Sequence, residues 1–197
     1  MGSDAREAVG VTALARRPDR REFDIEVAKM RRRDLRRVLA IEGDVYPRPW
    51  TRPLFLSEIA QRHSRTYLVA RHEGEVVGYA GMMFTRKEAH VTNIAVTPEL
   101  HGVGIGTRLL LTLVTEAVAR SCDRISLEVR VSNSVAQSLY EKFGFFVDGV
   151  RKGYYVETNE DAFLMVAEDA LSTDYRLRLE SIRDDLNKTS PRDTFGD

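Results

Sequence analysis

The chain has 197 residues, 43% hydrophobic and 30% charged, with 30 basic and 30 acidic side chains that cancel. This is an ordinary globular composition with room for one domain and its core, and the zero net charge speaks against a whole-surface grip on nucleic acid or acidic membrane. No apolar run approaches the ~18 residues of a membrane helix, the amino-terminal stretch has no apolar signal core, and a lone Cys122 excludes an internal disulfide or a multi-cysteine metal cage, so a cytoplasmic protein without metal is expected.

Residues 1–22 are polar, Arg- and Ala-rich and aperiodic, and read as a loose tail. Phe23, Ile25 and Val27 alternate with Asp24 and Glu26 as a first strand. Leu35, Val38, Leu39 and Val45 mark a helix over 33–45; Pro47, Pro49 and Pro53 then break the chain around Trp50, and Thr51 can cap a short helix to about Ile59. The runs 66–71 and 76–84, joined at Glu73-Gly74, read as a hairpin, and 89–96 as a third strand. A helix over 106–120 carries Leu109, Leu110, Leu113, Val114 and Ala117 on one face. Residues 125–130 form a strand, 133–143 a helix closed by Gly144, and 145–150 and 161–168 the last strands. The order defines an α/β domain with a single mixed sheet over residues 23–168. Beyond it, within 169–197, Tyr175, Leu179, Ile182 and Leu186 mark one more amphipathic helix, packed on the domain or on a partner, before a tail. The basic block Arg31-Arg32-Arg33 with Arg36-Arg37 reads as a solvated face.

The most informative stretch is NIAVTPELHGVGIGTRLL, residues 93–110. An apolar strand ends at Thr97-Pro98, a turn follows with Gly102, Gly104 and Gly106, and a helix begins. Glycines let main-chain amides converge on a ligand, and the helix start adds about half a positive charge, which together suit a phosphate. A Walker loop would need Gly-Lys-Ser/Thr, but Gly106 precedes Thr107-Arg108. A Rossmann fingerprint fails as well, because Thr107 or Leu109 stands where its last glycine belongs. Gly-x-Gly alone leaves a tight strand-to-helix turn or the diphosphate loop of an acyl-CoA enzyme.

That passage, together with LEVRVSNSVAQSLYEKFGF (127–145) and RKGYYVETNEDAFLM (151–165), resembles the GNAT superfamily of N-acetyltransferases, and within it the ribosomal-protein-alanine N-acetyltransferases of the RimI group. The resemblance spans about residues 24–167 and implies the GNAT acyl-CoA fold with acetyl-CoA as co-substrate. It implies that Ile94, Ala95 and Val96 bind the pantetheine arm through their main chain, and that the amides of Gly102, Val103, Gly104, Ile105, Gly106 and Thr107 hold the diphosphate. The family usually places Gln or Arg, then Arg, where His101 and Gly102 stand, and often Arg at Thr107, a departure that weakens attraction to phosphate unless Arg108 substitutes.

Alternation puts Glu128 on the face opposite Ile125, Leu127 and Val129, which by pattern alone makes it either a solvent-facing glutamate or a site residue. The resemblance makes it the general base, Tyr140 the general acid for the departing thiolate, and Asn133 both a helix cap and a cofactor contact. An α-amine has a pKa of about 7.7–8.0 and a lysine amine about 10.4, so one carboxylate is better matched to an N-terminal amine. The implied acceptor is the N-terminal alanine of a small-subunit ribosomal protein, with Tyr46, Trp50, Tyr154 and Tyr155 either flanking it or packing under a loop. A lysine or small-molecule acetyltransferase and a non-catalytic acyl-CoA-binding module are the alternatives. His63, His72 and His90 lack metal spacing and read as surface or core residues, and Cys122 as a buried thiol.

Overall fold

The structure, a computed structural model, describes residues 24–188. Phe23 and both expected tails lie outside that range. Seven strands form one sheet in the order β1-β2-β3-β4-β5-β7-β6. In chain order they are β1 (Ile25–Lys29), β2 (Arg65–His72), β3 (Glu75–Phe84), β4 (Glu88–Val96), β5 (Arg124–Arg130), β6 (Phe146–Tyr155) and β7 (Glu160–Ala167). The helices are α1 (Leu35–Val45), α2 (Arg52–Ala60), α3 (Ile105–Ala119), α4 (Ser134–Lys142) and α5 (Thr173–Lys188).

Two apolar layers flank the sheet. On one face Leu35, Val38 and Ile41 of α1 and Phe55 of α2 close over Tyr67, Val69, Val76, Tyr79 and Ala95. On the other, α3, α4 and α5 cover Leu68, Ala80, Ile125, Leu127 and Met165. Because β2 and β3 are covered on both faces, their sequences are almost continuously apolar, unlike the alternating β5. Ile125, Leu127 and Val129 are buried, and Ser126, Glu128 and Arg130 occupy the opposite face.

The sequence-derived elements all form, with small differences. A 3-10 turn, Arg32–Asp34, precedes α1. Thr51 stands at the N-cap of α2 without a side-chain hydrogen bond, whereas Asn133 caps α4 by accepting from the Ala136 amide at 3.0 Å. The largest difference is β6, which runs to Tyr155 rather than ending near 150. It is the sheet edge, nearly all of it exposed, and the ladder to β7 slips at Val147/Gly149 and between Arg151 and Tyr155. An exposed, bulged edge strand has no apolar alternation to announce it.

One buried acid affects the stability of this scaffold. Glu42 on α1 is 2% exposed; its Oε1 accepts the Trp50 amide at 2.8 Å, while Oε2 has no partner. Burial pushes its pKa up to about 7, against the smaller pull of the Trp50 hydrogen bond. The folded chain therefore holds a proton that the unfolded chain releases above the ordinary carboxyl value, so stability falls as pH rises from about 4.5 to 7. Glu42→Gln is expected to flatten that part of the stability profile in urea titrations, removing a slope worth up to about 3 kcal/mol.

Candidate active site

The chemistry of the site begins where two neighbouring strands part. β4 and β5 pair in parallel over three residues only, Glu88↔Arg124, Ala89↔Ile125 and His90↔Ser126, and then diverge. Beyond that point the free edge of β4 faces a cleft. In an antiparallel ladder alternate residues turn their main-chain groups away from the partner strand. Ile94 and Val96 do so: the Ile94 carbonyl accepts from the Tyr46 hydroxyl at 2.8 Å, and the Val96 carbonyl pairs with His101 Nε2 at 2.9 Å. Burial pushes the Tyr46 phenol up, with the nearby Tyr140 and Glu42 adding to the shift, so it stays a donor.

The strand then leads through a 3-10 turn, Pro98–Leu100, into α3. Gly102 and Gly104 adopt φ of +84° and +95°, the left-handed region that suits glycine, and this aims the turn into the helix. The Arg108 amide donates to the Gly104 carbonyl at 3.0 Å, and the amides before it belong to the first turn, where a helix cannot pair its own N–H groups. A Cβ on Gly102 would meet nothing within 4 Å, so open space lies beside the amides. An anionic diphosphate fits this donor set.

A groove of about 310 Å³ runs along the cleft. Ile94, Ala95, Val96, Gly102, Gly104, Ile105, Gly106, Thr107 and Asn133 line it, together with Glu128 and Tyr140. Of the residues singled out in the sequence, Val103 is absent from this lining, because its side chain is 5% exposed and turned into the core. Trp50 is absent as well; it packs against Phe55 and Tyr67, with ring centroids 5.4 and 6.4 Å away. Tyr46 and Tyr155 do line the groove. Tyr155 lies under the Arg130 guanidinium, 3.8 Å from its ring centroid, and Arg130 is itself held by Glu157 and Glu160. Tyr154 packs edge-on against Tyr155.

Glu128 sits at the fork, its side chain 7% exposed. His90 Nε2 donates to its Oε2 at 3.1 Å, and Arg151 Nη2 to its Oε1 at 3.0 Å. With Nε2–H given to the carboxylate, His90 Nδ1 is left for the Ser126 hydroxyl at 3.0 Å. Burial opposes ionisation of Glu128, but the His90 and Arg151 interactions outweigh it and hold the carboxyl below its usual range. Tyr140, 5% exposed, packs beside Phe145, and burial pushes its phenol well above the ordinary value, with Tyr155 adding to the shift. An ionised carboxylate, a protonated phenol and the residues of the glycine turn thus line one groove.

His90 and Arg151 escaped the sequence reading. His90 reaches Glu128 only through the three-residue β4/β5 register, and Arg151 through the β6–β7 ladder, where it pairs with Ala162 as Arg130 does. No local pattern links these positions. Cys122 is fully buried and outside the groove lining, and burial pushes its thiol up. Among the described residues no cluster of His, Cys, Asp or Glu could hold a metal ion, and no helix is long and apolar enough to cross a membrane.

A split parallel pair feeding a glycine turn at a helix start opens a groove with room for an anion, and the acetyltransferase (GNAT) family model matches residues 35–145. The chain belongs to this family and is an acetyl-CoA-dependent N-acetyltransferase. Among its relatives is the Escherichia coli K12 ribosomal protein bS18-alanine N-acetyltransferase, 33% identical over 141 residues, 71% of this chain and 94% of that one. The Mycobacterium tuberculosis N-alpha-acetyltransferase RimI is 34% identical over 147 residues, 72% of this chain and 90% of that one. The crystal structure of the E. coli ribosomal-protein-S18-alanine N-acetyltransferase superposes with a TM-score of 0.69 at 29% identity, covering 77% of this chain and 97% of that one.

Proposed function

We propose that this enzyme moves the acetyl group of acetyl-CoA to the N-terminal α-amine of a protein, the N-terminal alanine of a small-subunit ribosomal protein. The observation that carries the reading is the position of Glu128, ionised and all but buried at the fork between β4 and β5, facing the end of the acyl groove. Two relatives named for N-terminal acetylation at 33% and 34% identity support it.

Acetyl-CoA supplies an activated thioester. Ile94, Ala95 and Val96 align it along the free edge of β4, and the turn from Gly102 to Thr107, with Asn133 across the groove, holds its nucleotide end. A main-chain N–H on the unpaired edge of β4 would stabilise the thioester oxygen as it gains charge. The acceptor amine enters between Tyr46 and Tyr155, and Glu128 removes its proton, directly or through one water. The N–C bond forms, the C–S bond breaks, and Tyr140 gives its proton to the departing thiolate. His90 and Arg151 position the carboxylate.

The test is a peptide panel incubated with acetyl-CoA and read by mass spectrometry. One peptide carries the N-terminus of the small-subunit protein bS18; the others carry a blocked N-terminus with a free lysine, or a free N-terminus with a different first residue. Acetylation at the α-amine of the alanine peptide is the expected product. Transfer only to the lysine side chain, or to none of the peptides by a protein that still binds acetyl-CoA, rejects the reading.

A further inference from the structure

Beyond the segment that matches the family, α5 carries Tyr175, Leu179, Ile182 and Leu186 as a single buried stripe packed against the α3 side of the core. The stripe ends over the glycine turn. Leu186 Cδ2 lies 3.5 Å from where a Cβ on Gly104 would be, and Arg108 Nη2 donates to the Leu186 carbonyl at 3.2 Å. Leu186 is itself 6% exposed. Arg108 is the only arginine or lysine between residues 98 and 119, and its guanidinium is directed to the end of α5.

The glycine turn therefore grips with main-chain amides. Amides serve as a strong anion site only when their directions are set beforehand, since a turn of three glycines loses much conformational freedom on ordering. We propose that α5 is a brace for the diphosphate turn, its Leu186 packed on Gly104 and the Leu186 carbonyl tied to Arg108, so that the amides of residues 102–107 are ordered before the cofactor arrives. Leu186 is a positioning residue that touches neither substrate. The inference rests on the reading of this turn as the diphosphate site.

The experiment uses the full-length chain with Leu186→Ala, and Leu186→Met as the conservative variant. Binding of coenzyme A is measured by calorimetry without any acceptor, so an error in the proposed acceptor leaves the result intact. Leu186→Ala is expected to raise the coenzyme A Kd by about tenfold, equivalent to about 1.4 kcal/mol. The kcat at saturating acetyl-CoA and the acceptor KM stay unchanged, and Leu186→Met restores binding. Acetyl-pantetheine, which lacks the diphosphate, should be used equally well by both variants and the parent. Amide exchange at residues 104–107 should quicken in Leu186→Ala. An unchanged coenzyme A Kd overturns the brace, as does an equal loss with acetyl-pantetheine, which would mark a general loosening of the fold. If Leu186→Ala does not fold, Leu186→Val is read by the same measures. Failure of the parent chain to bind coenzyme A would reject the diphosphate site itself.

Discussion

Glu128→Gln is expected to lower kcat by about a hundredfold to a thousandfold, the range for removing a positioned base, while coenzyme A binding stays within about twofold because the turn proposed to hold its diphosphate, residues 102–107, belongs to a different part of the chain. Glutamine keeps the shape: its amide oxygen can accept from Arg151, and its NH2 can donate to His90 Nε2 once that ring carries its proton on Nδ1 toward the Ser126 hydroxyl, so the loss reports proton removal rather than collapse. The pH profile gives a second check. Glu128 is held below the usual carboxylate range and is already ionised at neutral pH. The rise of kcat/KM between about pH 6 and 8.5 therefore follows the acceptor α-amine, whose pKa is near 7.7–8.0. The variant should show the same midpoint at a lower plateau. A kcat within threefold of the parent, measured with saturating peptide, would remove Glu128 from the chemistry.

Tyr140→Phe is the second large effect. Burial keeps the phenol protonated throughout the working range, so it can donate but does not serve as a base. A thiolate needs less help than an alkoxide or amide anion, and the expected loss is about tenfold to a hundredfold in kcat, below that of Glu128→Gln. Phenylalanine preserves the ring contact with Phe145, whose centroid is 6.0 Å away, so stability and cofactor binding should hardly move. Acetyl thioesters with more acidic leaving thiols should recover part of the loss. If Tyr140→Phe instead raises the acetyl-CoA KM at constant kcat, the hydroxyl binds cofactor and does not protonate sulfur.

The cofactor half of the site was legible because it is local. Residues 93–108 form one continuous strand, turn and helix start, and three glycines, a proline and an apolar run announce each part in turn. Val103 turns its side chain into the core, which leaves the expectation for its main-chain amide unaffected. The acceptor half was legible only by resemblance. Glu128 sat in an alternating strand that fits solvent or site equally well. For Trp50 the sequence left open an entrance position or packing under a loop, and the structure places it in an aromatic cluster with Phe55 and Tyr67. His90 showed no metal spacing and no periodic role, yet it lies against the carboxylate.

By itself the sequence determined the order of strands and helices, the glycine turn between β4 and α3, and the buried stripe of α5, since each depends on residues a few positions apart. The tertiary structure alone decided where β4 and β5 separate, which carboxylate faces the fork, and what α5 rests upon. Those outcomes depend on strand register and on packing against both faces of the sheet, so they are set by contacts between residues tens of positions apart. A one-residue slip in that register would turn Glu128 to the buried face and expose Ile125, Leu127 and Val129, so the alternation within β5 sets the face, while which residues of β4 and β7 lie opposite is decided by the rest of the sheet.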